Sequence, residues 1–367
     1  MFLPGVAPEL AYADEPVVTK TDPEGNPVSS ASQPALVATM LDSLDLSPGQ
    51  RVLEIGAGTG YNAALLRYLT GPDGTVVSLD IDQDIVDQAR ANLTDAGYPD
   101  VTVVCADGAL GYPPLAPYQR LTATVGISDL APAWLEQVTD DALLLVPLDV
   151  RGIDLLVAFT RSAAHWASRS VAPCGFIRMR GALADTSRTI KLTGTVHLQV
   201  AEAAGTDAHA LAAAFAGPSA TFAGPSATAR GEVLLSGSWD FWKLRAWLAT
   251  ADARYCTVGE SLRPGRRPVL TQPLAGGQAW RSTIGLISDD SLAVLTRADG
   301  IATGYGPAGA ELAADLAGLV RDWHDAGRPG TAGLHVDAYP RSGADQPPTE
   351  NTLLVDRPNT RFAVYRD

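Results

Sequence analysis

The stretch VLEIGAGTGYN, Val52 to Asn62, constrains this chain more than any other. An apolar run carries one acid, Glu54, and is followed by glycines at alternate positions, Gly56, Gly58 and Gly60. The run YNAALLRYLT then takes up helical spacing and stops at Gly71. Glycine tolerates positive φ and lets the backbone approach a ligand with no Cβ in the way. The first amides of the helix have no partner within it, so they face whatever lies in the turn. The segment therefore predicts a buried strand, a tight turn and a helix, with a small-molecule site at the turn.

The same alternation continues on both sides. RVLEIG, GTVVSLDI, VTVVCAD, LTATVGI and ALLLVPL read as strands, and QDIVDQARANLTDAG and PAWLEQV as the helices between some of them. Strands alternating with helices imply βαβ units and a mainly parallel sheet. DLLVAFTRS and GFIRMRG follow with no helix between them, so the sheet is expected to end in an antiparallel pair. At 367 residues there is room for two domains. The expected division is a first domain over 1–183 and a second, C-terminal mixed α/β domain over 184–367.

Composition narrows the partners. Hydrophobic residues make up 46% and charged residues 19%, as in an ordinary globular protein with an ample core. Lys and Arg number 27 against 41 Asp and Glu, for a net charge of −14. A phosphate backbone demands the opposite sign, so no nucleic-acid partner is expected. The opening MFLPGVAPELAYADEP lacks a basic region and does not read as a signal peptide. No apolar run reaches the roughly 18 residues that span a membrane, so no membrane partner is expected either. Cys105, Cys174 and Cys256 are widely spaced and odd in number, which suits free thiols in a cytoplasmic setting. The five histidines form no ligand-spaced group with them, and no metal site is expected.

The glycines alone leave the nucleotide open. A dinucleotide fingerprint G-x-G-x-x-G/A fits from Gly58 through Gly60 to Ala63, so an NAD enzyme stays possible on motif form. The fuller E-x-G-x-G-x-G pattern, with Glu54 before the glycines, resembles motif I of the Rossmann-like class I S-adenosylmethionine-dependent methyltransferases. Asp80 ends the next strand, where a carboxylate accepts from both ribose hydroxyls. Asp107 follows the third, where methyltransferases place an acid near the adenine amino group, with Gly108 giving clearance. Each acid has a structural reading too, since strand-end Asp is a common helix cap. The resemblance implies S-adenosyl-L-methionine as cofactor, held by Glu54, Gly56, Ala57, Gly58, Gly60, Tyr61, Asp80, Ile81, Asp107 and Gly108.

Residues 15–183 resemble protein-L-isoaspartate O-methyltransferases. The element D-G-x-x-G-x-P, formed by Asp107, Gly108, Gly111 and Pro113, carries the likeness beyond motif I, as does Tyr61 in the G-Y step. The family's I-S-Q-P segment reads here as Ala31, Ser32, Gln33 and Pro34. By that match Ser32 and Ser30 lie at the acceptor carboxylate and are the catalytic candidates. Ser32 also suits an N-cap of the helix that begins near Pro34, and the two roles are compatible. Upstream, VVTKTDPEGNPVS replaces the family's glycine-rich lead-in. With the added C-terminal half, this resembles the branch that methylates aspartate in ribosomally made, modified peptides of the lanthipeptide type. The ester formed there closes to succinimide and opens to isoaspartate. The expected partner is thus a peptide or protein bearing an Asp or isoAsp carboxylate. Two alternatives stand beside it: a repair-type enzyme with an appended regulatory domain, and a non-catalytic binding protein on a nucleotide fold.

The C-terminal half offers no motif tied to chemistry. FAGPSATFAGPSAT, Phe215 to Thr228, is a tandem duplication of seven residues, but Gly-Pro in each copy breaks a helix, and it reads as a duplicated loop. WDFWKLRAW reads as a core-facing aromatic run or, less simply, as the lining of a peptide groove.

Overall fold

The predicted alternation of strand and helix is realised around the glycine turn, with a strand over Arg51–Ile55 and a helix over Tyr61–Thr70. In the computed structural model of the chain the described residues are all except 1, 4, 24, 164, 185–187, 201–205, 217–226, 231–234, 236–237, 263–269, 271–274, 277–279, 296–299 and 344–346. They divide into two units. The first comprises Met1–Asp149, Asp154–Asp185 and Gly333–Asp367, and the second Val150–Ile153 and Thr186–Ala332.

The first unit opens with helix α1 (Pro8–Ala11) and a two-stranded hairpin, β1 (Val17–Thr21) and β2 (Pro27–Ala31), before helix α2 (Pro34–Leu44). There follow β3 (Arg51–Ile55), α3 (Tyr61–Thr70), β4 (Thr75–Asp80), α4 (Gln83–Asp95), β5 (Thr102–Cys105), β6 (Tyr118–Ala123), α5 (Pro132–Glu136), β7 (Val138–Val150), β8 (Ile153–Ser162) and β9 (His165–Pro173). Strands β7, β6, β3, β4 and β5 lie side by side in that order, all parallel. Parallel strands covered on both faces need continuous apolar runs, and β3 and β4 are buried through their middles. Met40 and Leu44 of α2, Ala63 and Leu66 of α3, and Val86, Ala89 and Leu93 of α4 pack with Val52, Val76 and Leu145 of the sheet. Truncating one such leucine to alanine costs about 2–5 kcal/mol.

GFIRMRG does not form the expected closing strand. The antiparallel partner of β8 is β9, paired from Ser162↔His165 to Leu155↔Pro173. Gly175–Arg180 instead runs as an irregular segment with a single bridge, Gly126↔Arg178. The reason lies in its polar side chains: Arg178 is taken up by Asp149 and Asp154, and Arg180 by Asp82.

The second unit holds β10 (Arg188–Lys191), β11 (Val196–Val200), α6 (Ala208–Ala216), β12 (Ala227–Arg230), α7 (Ser238–Ala251), β13 (Tyr255–Ser261), β14 (Ala275–Gly276), β15 (Trp280–Ile287), β16 (Leu292–Leu295), β17 (Ile301–Tyr305) and α8 (Gly309–Asp325). Its sheet runs β10-β11-β13-β15-β16-β17-β12, antiparallel at every pairing, with β14 beside β15. Leu312, Leu316, Val320 and Trp323 bury the inner stripe of α8. Within the aromatic run, Phe241 is core, and the Arg245 guanidinium lies 4.8 Å from the Trp242 ring centre. Residues 217–226 of the duplicated segment lie outside the described residues.

The expected extent of the second domain, 184–367, is corrected at its far end. β18 (Leu334–Pro340), β19 (Leu353–Asp356) and β20 (Thr360–Arg366) return to the first unit. They complete a ten-stranded sheet, β19-β20-β18-β9-β8-β7-β6-β3-β4-β5. The exposed edge of β9 supplies the reason: β18 pairs with it at Ala338↔Trp166 and satisfies backbone groups left open there.

Candidate active site

The glycine turn is built as the sequence implies. Gly56, Gly58 and Gly60 have φ of +101°, +50° and +82°. At Gly56 a Cβ would stand 2.6 Å from Thr124 Oγ1 and 3.0 Å from Val125 Cγ1, so only glycine fits. Thr124 Oγ1 in turn donates to the Gly56 carbonyl at 2.6 Å, and the Gly56 and Ala57 amides both donate to the Leu79 carbonyl. Gly60 is the left-handed N-cap from which α3 starts.

Glu54 is fully buried behind this turn. In register across the three central strands stand Ser78, Glu54 and Thr122, a polar row in otherwise apolar strands. Ser78 Oγ donates to Glu54 Oε2 at 2.5 Å and Asn62 Nδ2 to Oε1 at 2.7 Å. Burial pushes the Glu54 carboxyl up to about 7, against the pull of those two hydrogen bonds. Asn62 Oδ1 and Thr122 Oγ1 have no hydrogen-bond partner among the described residues, so this row has unspent polar capacity beside the turn.

Asp80, at the end of β4, accepts from the Gly58 amide at 3.1 Å and the Asp82 amide at 3.3 Å. Burial raises its pKa. Ile81 next to it is exposed. Asp82 holds two cations the sequence did not single out. Lys20 of β1 donates to it at 2.9 Å and to Asp84 at 2.8 Å, and Arg180 reaches both its oxygens at 3.1 and 2.9 Å. These pairs tie the β1–β2 hairpin and the segment after β9 to the rim of the turn.

Asp107 spends one oxygen on the Ala109 amide and the other on Ala182, at 2.9 and 2.8 Å. Its capping role is therefore realised, as N-cap of the short 3-10 turn Gly108–Leu110. Gly108 packs so closely that a Cβ would lie 2.5 Å from Ile55 Cγ2. Tyr61 is exposed and meets Phe2 edge-on at 5.4 Å.

The serines lie at the end of the hairpin. Ser30 is in β2 beside Val18, and its carbonyl would stand 3.7 Å from a Cβ on Gly58, which brings β2 to the glycine turn. Ser29 is buried and accepts from Thr19 Oγ1. Ser32 does not cap α2. The N-cap is Gln33 with Pro34 in the first turn, and the free Ala35 amide is met by Asp14 Oδ1 at 2.9 Å. The replaced lead-in carries a local contact of its own: Asp22 accepts from the Asn26 amide and side chain at 2.7 and 2.9 Å between β1 and β2.

A cationic nucleoside fits these residues. The space over Gly58 is open except for the Ser30 carbonyl, and the Asp80 carboxylate still has acceptor capacity beyond its two amides. Among the described residues no group of three or more His, Cys, Asp or Glu is placed for a metal ion, and no helix is long and apolar enough to cross a membrane.

An acid in the first central strand, a G-x-G-x-G turn over it and a second acid ending the neighbouring strand define a Rossmann-like class I methyltransferase that uses S-adenosyl-L-methionine. The profile of the family described as protein-L-isoaspartate(D-aspartate) O-methyltransferase, PCMT, matches residues 1–184. The chain belongs to this family and is an S-adenosylmethionine-dependent O-methyltransferase of the isoaspartate type. The protein-L-isoaspartate O-methyltransferase of Methanococcoides burtonii is 34% identical over 181 residues, 49% of this chain and 86% of its own. Among solved structures, a protein-L-isoaspartate O-methyltransferase is 23% identical, covers 92% of this chain and 87% of its own, and has a TM-score of 0.48. A PCMT from Plasmodium falciparum, solved with S-adenosyl-L-homocysteine, is 17% identical over 47% of this chain and 84% of its own, with a TM-score of 0.40.

Proposed function

We propose that the enzyme methylates the side-chain carboxylate of an aspartyl or isoaspartyl residue in a ribosomally made, modified peptide. The observation that carries the acceptor site is the approach of β2 to the glycine turn: the Ser30 carbonyl stands over Gly58, and Ser32 is free of the capping duty that the sequence allowed it. A carboxylate is ionised at neutral pH and needs no base. S-adenosylmethionine supplies a methyl already activated on a sulfonium. The chain then has to strip water from the acceptor and align it. Ser30 and Ser32 hold one carboxylate oxygen and leave the other free. Asp80 takes the ribose hydroxyls, Ile81, Asp107 and Gly108 the adenine side, and the buried charge of Glu54 favours the cationic methionine end from behind the turn.

The peptide-tailoring reading is supported by two departures from a minimal family member. The lead-in forms a closed hairpin anchored by Lys20, and a second unit with its own antiparallel sheet is added to the family's half of the chain. That second unit would hold the peptide. Three free cysteines fit a reducing cytoplasm. The test is to offer the enzyme a cyclised Asp-containing peptide and generic isoaspartyl peptides, and to read the methyl ester by mass. Methylation of only the generic isoaspartyl peptides would give the repair-type reading instead. Ser32→Ala is expected to lower kcat about 10- to 100-fold with unchanged cofactor affinity. Equal loss of both would return Ser32 to a structural role.

A further inference from the structure

Two carboxylates of the first unit are buried away from the cofactor turn. Asp129 is 1% exposed and Asp149 is 2% exposed. Both are met by the turn between β19 and β20, more than 200 residues on. Asp129 Oδ2 accepts from the Asn359 amide at 2.7 Å and from Asn359 Nδ2 at 2.9 Å, while Oδ1 accepts from the Leu130 amide. Asp149 accepts from Arg357 at 3.3 Å and from Arg178 at 2.8 Å. Arg357 is itself buried, so its charge and that of Asp149 are matched away from bulk water.

What these contacts hold is the segment that leaves the carboxyl end of β6. Ligands of a parallel sheet lie off the carboxyl ends of its strands, and β6 is the immediate neighbour of β3. Thr124 and Val125, at its start, form the wall against Gly56. Gly126 bonds to Ile177 and Met179 on one side, each at 2.8 Å. On the other, the Ile127 amide donates to Pro147 at 2.8 Å and its carbonyl accepts from Asp149 at 2.7 Å. The far end of the segment is closed by Asp129. Each fixed point but the last comes from the family's own half of the chain.

We infer that Asp129 and Asn359 form a clasp through which the C-terminal turn positions the Thr124–Asp129 wall of the methyl-transfer site. Asp129 is a positioning residue, acting on the acceptor through Thr124 and Val125 and touching neither cofactor nor acceptor. The wall is thus completed by residues that follow the second unit in sequence, Arg357 and Asn359. A misplaced wall loses alignment of oxygen, methyl and sulfur before it loses cofactor contacts made by β3 and β4, and a displacement of ~1 Å costs up to about 100-fold.

The test uses the full chain with Asn359→Ala, which removes one donor, and Asn359→Asp, which sets a second carboxylate against Asp129. Turnover of whichever acceptor the wild type methylates, S-adenosylmethionine affinity by calorimetry, thermal midpoint and amide exchange are read together. The clasp predicts kcat reduced about 10-fold in Asn359→Ala and further in Asn359→Asp, with cofactor affinity within about 2-fold. Gly126 and Ile127 amides should exchange faster while those of α3 and β4 do not. Unchanged kcat and unchanged exchange at Gly126 and Ile127, or cofactor affinity falling in step with kcat and thermal midpoint, would overturn it. Should Asn359→Asp fail to fold, Asn359→Ala decides alone. The inference rests on carboxyl methyl transfer only for the turnover arm: a wild type that methylates no acceptor sinks the proposed function, and the exchange arm still tests the clasp.

Discussion

The two units divide the chain's charge very unevenly. The first carries 28 Asp and Glu against 13 Lys and Arg, and the second 13 against 14, which together make the 41 and 27 of the whole chain. The methyltransferase unit therefore carries a net −15 and the second unit +1, which together give the −14 of the chain. The two also differ in how they present chemistry. In the parallel sheet, functional groups gather at strand ends, where Glu54, Asp80 and Asp107 fall at βαβ spacing. In the antiparallel sheet of the second unit any binding group would lie along a face, where no fixed spacing marks it. Motifs are legible in one architecture and silent in the other for that reason.

Substitutions at glycine break the comparison most sharply. Gly56→Val combines a φ of +101° with a Cβ 2.6 Å from Thr124 Oγ1, and is expected to weaken S-adenosylmethionine binding at least about 1000-fold by calorimetry. Gly194→Ala in the second unit meets no atom within 4 Å and should change stability by less than about 0.5 kcal/mol. An equal effect of the two would dissolve the contrast.

Glu54→Gln comes next. The folded Glu54 carboxyl titrates at about 7, above its ordinary 4.5, because it is desolvated. A raised carboxyl pKa means the native state holds the proton more tightly. The stability it contributes is full below about pH 4.5, is lost as pH rises toward 7, and is level beyond. The wild type should lose on the order of 3 kcal/mol across that window relative to Glu54→Gln, read as the difference between their denaturation curves against pH. Cofactor affinity should rise through pH 7 in the wild type and stay flat in Glu54→Gln, since a cation favours the ionised carboxylate.

Asp80→Asn is expected to weaken cofactor binding about 10-fold, because an amide in place of the carboxylate loses charge-assisted acceptance. A smaller effect is assigned to the second unit: Arg245→Ala removes a cation held 4.8 Å from the Trp242 ring and should cost about 1 kcal/mol in thermal unfolding, with the site untouched and only Gly194→Ala below it.

Much of the first unit was legible because each local signal agreed with the next. Gly71 and Gly97 end α3 and α4 as the sequence implies, both with positive φ. The polar row was legible in part: Ser78 and Thr122 interrupt apolar strands beside Glu54, and that interruption was the available signal. GFIRMRG misled because its alternation suits a strand, while its arginines are spent on Asp82, Asp149 and Asp154 from distant segments. The capping reading of Ser32 failed for a similar reason, since Asp14 reaches the Ala35 amide from outside the helix. Lys20 gave no signal at all, because its partners are 62 and 64 residues away.

The sequence by itself determined the strand, the glycine turn and the helix of motif I, the acids that follow at strand ends, and with them the cofactor class. Those rest on φ restrictions and strand-end spacing, which are local. Only the tertiary structure decided that β2 lies against Gly58, that Lys20 and Arg180 share Asp82, and that residues 333–367 return to the first sheet. Those depend on which buried carboxylate or open sheet edge is nearest in space, and a linear sequence does not carry that distance.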